Sequence, residues 1–121
     1  MEKNPVFIEL VERIAAMTRL NSLRWETIVG EESYVATHTS EAATNTFSIS
    51  REAREEVNTF GIREQEWDYT LTVETGGPEG GERITVGSRE LGGVKPLEAL
   101  FDLVSTNRKV ETVRRVLDTL R

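Results

Sequence analysis

Trp67-Asp68-Tyr69-Thr70-Leu71-Thr72-Val73 places an apolar residue at every second position and a polar one between. In an extended chain successive side chains point to opposite faces, so this period of two reads as a strand with one face buried and one wet. The same alternation recurs in Leu23/Trp25, Tyr34/Ala36, Phe47/Ile49 and Ile84/Val86. Five such segments, with helical patterns before and after them, predict a mainly antiparallel meander with helices available to cover one face. Leu23, Trp25, Tyr34, Phe47, Ile49, Tyr69, Leu71 and Val73 form the inward set. Opposite them lie Arg24, Glu26, Val35, Thr37, Thr39, Thr46, Ser48, Ser50, Asp68, Thr70, Thr72 and Thr85. Such hydroxyls suit a twisted, half-exposed sheet; they would equally line a wet groove for a polar ligand or meet a second sheet.

Upstream of Trp67 the pattern is ambiguous. Residues 51–66 are highly charged, and Ala53, Val57 and Phe60 are spaced four and three apart. That spacing is compatible with a short helix ending near Gly61, and also with a long, twisted hairpin joining the Phe47 and Trp67 strands. In either form Phe60 and Ile62 are apolar residues in a charged excursion, candidates with Trp67 for a partner contact. Downstream, Gly76-Gly77-Pro78-Glu79-Gly80-Gly81 reads as a loop between two strands. Phosphate-binding glycine loops need a helix after them, and here a strand follows. Leu91-Gly92-Gly93-Val94-Lys95-Pro96 is a second connection, ending at a proline suited to a helix's first turn.

The N-terminal helix should start at Asn4-Pro5, with Asn as cap and Pro in the first turn, and run to about Arg19. Phe7, Leu10, Val11, Ile14 and Met17 mark its apolar face. At the other end Leu97, Leu100, Phe101 and Val104 form one stripe, and Val110, Val113, Leu117 and Leu120 another. From Val104 to Val110 the helix rotates about 600°, so the two stripes cannot share a face on one straight helix. With Ser105-Thr106-Asn107 between them as capping residues, the expectation is two helices meeting at a corner. The second would fold back on the sheet or reach to another subunit.

The chain has 121 residues, a length suited to one domain spanning 1–121, able to bury roughly two-thirds of its unfolded surface. It has no cysteine, which removes disulfides, thiolate metal sites and thiol catalysis and points to a reducing, cytoplasmic setting. Met1-Glu2-Lys3-Asn4-Pro5 lacks the form of a signal peptide, and no run approaches the roughly 18 apolar residues of a membrane span. A net charge of −6 and a pI near 4.9 oppose the broad basic footprint of nucleic-acid binding.

The charge is lopsided. Arg108, Lys109, Arg114, Arg115 and Arg121 face only Glu111 and Asp118 in the last fourteen residues, so that segment carries +3 and the rest −9. Cations near a helix C-terminus are favoured by its dipole. Arg108, Lys109, Arg114 and Arg115 are also the candidate residues for an anionic, nucleotide-like small ligand.

Other chemistry is sparse. His38 is the single histidine, the residue type whose charge change falls nearest neutral pH. A metal site would need further ligands of defined geometry, and proton-transfer catalysis would need a paired carboxylate. Glu31/Glu32 and Glu55/Glu56 are adjacent pairs whose side chains diverge. Ser48 and Ser50 lack a nucleophile-elbow context.

Thr18-Arg19-Leu20-Asn21-Ser22-Leu23-Arg24-Trp25 runs from a helix ending in Thr, through a polar turn, into Leu-x-Trp. Followed by Tyr34-Val35-Ala36, the strands at Phe47 and Tyr69, and Leu97-Glu98-Ala99-Leu100-Phe101, it resembles a group of small uncharacterised bacterial and phage proteins. The resemblance implies a fold and no activity, and residues 51–66 depart from its pattern. Together these readings predict an α+β domain: an N-terminal helix, a five-stranded mainly antiparallel meander, and two C-terminal helices packed on one sheet face. The expected function is a non-enzymatic binding or protein-interaction module without cofactor, forming a homodimer. Its rivals are capture of an anionic small ligand and a small hydrolase or isomerase using His38.

Overall fold

In the computed structural model, which describes residues 4–77 and 80–120, the alternating segments become five strands. They are β1 (Trp25–Thr27), β2 (Ser33–Thr39), β3 (Thr44–Val57), β4 (Arg63–Gly77) and β5 (Gly80–Val86). Each pairs antiparallel with the next, in the order β1-β2-β3-β4-β5. Helix α1 (Pro5–Arg19) precedes the sheet, and α2 (Ser88–Leu91) and α3 (Lys95–Thr119) follow it.

Register brings the apolar positions into rows across the sheet. Trp25, Ala36, Phe47 and Val73 make one row; Tyr34, Ile49, Leu71 and Val86 make the next. Val11 and Ile14 of α1 and Leu97, Leu100, Phe101 and Val104 of α3 are buried in one cluster with these rows. The result is one helical layer on one sheet face. Full burial of each large apolar side chain contributes about 1.5–3 kcal/mol, so this seam holds the fold.

Helix α1 begins as its residues dictate: the Asn4 side chain accepts the Val6 N–H at 2.9 Å and Pro5 occupies the first turn. Its end is tied to the sheet by a polar chain inside the core. The buried Trp25 Nε1 donates to Thr18 Oγ1 (3.0 Å), which donates to the Ile14 carbonyl (2.8 Å). The indole thus delivers its large apolar area while its one donor stays paired.

The ambiguous segment 51–66 is a hairpin. The two strands pair from Thr44/Gly76 to Val57/Arg63, and a three-residue loop, Thr59-Phe60-Gly61, joins them. Gly61 takes a left-handed φ of 77°, as the last position of such a loop requires. Asn58 Oδ1 accepts the N–H groups of Phe60 and Ile62 at 2.9 and 3.0 Å. The four-and-three spacing that suggested a helix has no helical counterpart, because the cross-strand ladder satisfies the same backbone groups.

At the C-terminal end the expected corner at Ser105-Thr106-Asn107 does not exist. Helix α3 runs through it for 25 residues. The break lies earlier, where Gly92 (φ 74°) ends the single turn of α2. Ser105 and Asn107 are polar for another reason: Tyr34 Oη donates to Ser105 Oγ (3.3 Å), and Asn107 Nδ2 reaches the Thr18 carbonyl (3.3 Å) and Asn21 Oδ1 (3.0 Å). These residues pin α3 to the sheet and to the end of α1.

The glycine-rich connection is also narrower than its composition suggests. Gly76/Gly81 and Gly77/Gly80 are ladder pairs, and Pro78 and Glu79 lie outside the described residues. A Cβ on Gly81 would stand 2.6 Å from the Thr75 carbonyl oxygen, which accounts for that glycine by close approach.

Candidate functional site

Helix α3 is half covered. Leu97, Leu100, Phe101 and Val104 are at most 2% exposed, whereas every residue from Thr112 to Leu120 is exposed. At about 100° per residue, Val110, Val113, Leu117 and Leu120 point nearly opposite to the buried stripe. The sequence argument that the two stripes cannot share a face is therefore correct, and the straight helix resolves it by turning the second stripe away from its own sheet. Val113, Val116, Leu117 and Leu120 are 51–74% exposed. The stripe is spaced three and four residues apart, on a helix segment that the domain leaves exposed.

The hairpin supplies a second uncovered surface. Strand β2 accompanies β3 only as far as Ser33/Ser50, and β5 accompanies β4 only from Leu71/Val86 onward. Beyond these rows β3 and β4 continue alone as an arm, about 20 Å long at 3.3 Å per residue. Its helix-side face continues the inward alternation through Ala53, Val57 and Trp67. Val57, Phe60 and Ile62 are 65%, 85% and 59% exposed at its end. On the other face Arg54 ties the strands together by pairing with Glu56, Glu66 (2.9 Å) and Asp68 (3.2 Å). Residues 52–68 hold six carboxylates against two arginines, a net charge of −4.

At the arm's base Arg51 is on the helix-side face. Its guanidinium sits 4.1 Å from the Trp67 ring centre and 4.7 Å from that of Phe101, and its Nε donates to Glu32 at 2.8 Å. Pairing with Glu32, aided by Tyr69, outweighs desolvation and holds its pKa above the ordinary arginine value. A groove of about 650 Å³ opens here, bordered by Glu31, Glu32, Glu52, Asp68 and Trp67. Trp67 is thus half-buried beside a stacked arginine, while Phe60 and Ile62 project; all three belong to one arm.

The four basic candidates are dispersed by helix geometry. Arg108 and Arg115, seven residues apart, share a face; Lys109 and Arg114 diverge from it by more than 90°. Arg114 pairs with Glu111 at 3.3 Å. Arg108 borders a small groove with Asn21, Arg24, Trp25, Asn107 and Glu111, where its buried Nε has no hydrogen-bond partner among the described residues. Arg121 lies outside the described residues.

His38 pairs across the sheet with Asn45 near the end of β2. Among the described residues no group of three or more histidine or carboxylate side chains is arranged to hold a metal ion, and no helix is long and apolar enough to cross a membrane. The outward hydroxyls form continuous rows, Ser33/Ser50/Thr70 and Ser48/Thr72/Thr85, on the face opposite the helices. Sequence reading missed Arg51 because a charged residue in the inward phase looks like a strand's end; the aromatic residues that receive it come from a different strand and from α3. Comparisons with protein-family models, curated proteins and solved structures find no match to this chain.

Proposed function

We propose that this chain is a protein-interaction module that works by self-association, with the projecting end of α3 as a contact element. One observation carries the reading: the stripe Val110, Val113, Leu117 and Leu120 stands on a helix that its own domain leaves uncovered. Isolated helical turns are marginal in water, so a regular apolar stripe there is best supported by packing from outside. Native mass spectrometry of the intact chain over a concentration series tests this, with a dimer expected. Leu117→Glu should return the protein to monomer with its circular dichroism unchanged. A wild-type chain monomeric at every concentration would refute the reading.

A second reading, capture of a small anion, is favoured by the Arg108 Nε, shielded and without a hydrogen-bond partner among the described residues, in a groove that Arg24 and Glu111 also line. The same spectra separate the two. A non-covalent anionic mass lost in Arg108→Gln supports capture, while a bare dimer supports the interaction module.

A further inference from the structure

We propose that α3 pairs antiparallel with α3 of a second copy, so that each chain's projecting end lies along the base of its partner's helix; this rests on the self-association reading above. The observation that carries it is a spacing. Counting back from Leu120 in alternate steps of three and four gives Leu117, Val113, Val110 and Thr106, and then Leu103, Ala99 and Pro96. Thr106 is the one polar residue among them. A strict seven-residue repeat of this kind is a coiled-coil seam, which keeps one face turned to a second helix along its length.

The upstream half of the seam borders an opening of matching character. Pro96, Ala99 and Leu103 line a groove of about 290 Å³ with Ile8, Val11 and Ala15 of α1. Helix α1 ends at Arg19, level with Asn107, whose Nδ2 reaches the Thr18 carbonyl. The downstream half of the seam, from Val110, projects past it. One helix thus carries both an apolar groove and an apolar stripe that fits it, and antiparallel two-fold pairing brings each onto the other twice.

Covering the whole exposed stripe fixes the register. Val110 stands level with the partner's Val113, Thr106 with the partner's Leu117, and Leu103 with the partner's Leu120. Charge agrees with this choice. Positions flanking the seam include Lys109 and Val116 on one side and Asn107 and Arg114 on the other. In this register Lys109 meets the partner's Val116, and Arg114 meets the partner's Asn107. Sliding by one heptad sets Lys109 against the partner's Lys109 in one direction and Arg114 against the partner's Arg114 in the other. A parallel pair would set Lys109 beside the partner's Arg114, and like-charge repulsion opposes all three. Arg108 and Arg115 lie on the opposite side of the helix and stay clear of the seam.

The chain has no cysteine, so single introduced thiols report proximity without background. Thr106→Cys protein is mixed with Leu117→Cys protein under mild oxidation; both positions are exposed, so neither change removes core packing. Along one helix the two sites are about 16 Å apart, so the direction of pairing decides which thiols meet. The antiparallel seam predicts the Thr106→Cys/Leu117→Cys heterodimer as the main cross-linked product. It also predicts that Thr106→Leu, which removes the seam's polar residue opposite the partner's Leu117, tightens dimerisation at least about tenfold. Cross-linking only between like chains would show parallel pairing, and an unchanged dimerisation constant in Thr106→Leu would place Thr106 outside the contact; either overturns this proposal and leaves self-association standing. A dimer with no cross-link would also overturn it. A chain that never dimerises would remove both this proposal and the reading beneath it.

Discussion

Helix α3 carries two apolar stripes of similar regularity, and they meet opposite fates. Leu97, Leu100, Phe101 and Val104 are sealed against the sheet, while Val110, Val113, Leu117 and Leu120 face outward. The sheet repeats this contrast: around Ile49 and Leu71 the β3–β4 pair is flanked by strands and roofed by helices, and beyond Arg51 it continues bare. Apolar periodicity alone therefore does not identify a core. It identifies an amphipathic element, and the domain covers only the first half of each.

The widest separation between the halves should come from truncating one residue in each. Phe101→Ala removes a ring packed against Tyr34 and Tyr69 at centroid distances of 5.4 and 5.7 Å; it should cost about 3–5 kcal/mol in urea denaturation. An effect under about 1 kcal/mol would mean the buried half of α3 is not what holds the helix. Next comes Thr18→Val, which leaves the buried Trp25 Nε1 unpaired, with an expected cost of about 1–3 kcal/mol by the same measurement.

At the boundary between covered and bare hairpin, Arg51→Lys keeps the charge and loses the planar stack on Trp67 and Phe101, for about 0.5–1 kcal/mol. Because the folded-state pKa of Arg51 is raised, its contribution is fully present below the unfolded value and lost only as pH rises through the higher folded one. From pH 7 to about 10 the wild-type-minus-Arg51→Lys stability difference should thus stay flat, apart from the lysine's own titration near the upper limit. The smallest effect belongs to the exposed half. In dilute, monomeric solution Leu117→Ala should shift unfolding by no more than about 0.5 kcal/mol.

The sheet was legible in the sequence because its alternation is long and one-sided: Trp67 to Val73 admits one phase, and Trp25, Phe47 and Ile49 fall in with it. The N-terminal helix was equally legible from Asn4-Pro5. What was not legible depended on partners distant in sequence. Ser105 and Asn107 look like caps until Tyr34 and Thr18 are brought beside them. Residues 51–62 favour neither helix nor strand strongly, and pairing with residues 63–69 decides the matter. Of the candidate contact residues, Phe60 and Ile62 were found as apolar residues in a charged stretch. Arg51 was missed, since its role exists only where Trp67, Glu32 and Phe101 converge.

Amide hydrogen exchange of α3, compared between dilute and concentrated protein, tests the central claim most directly. Protection from Phe101 to Ser105 should be strong and independent of concentration, whereas protection from Val110 to Leu120 should be weak when dilute and rise with concentration. If the last three turns exchange equally fast at every concentration, no second chain covers them and the self-association account is wrong.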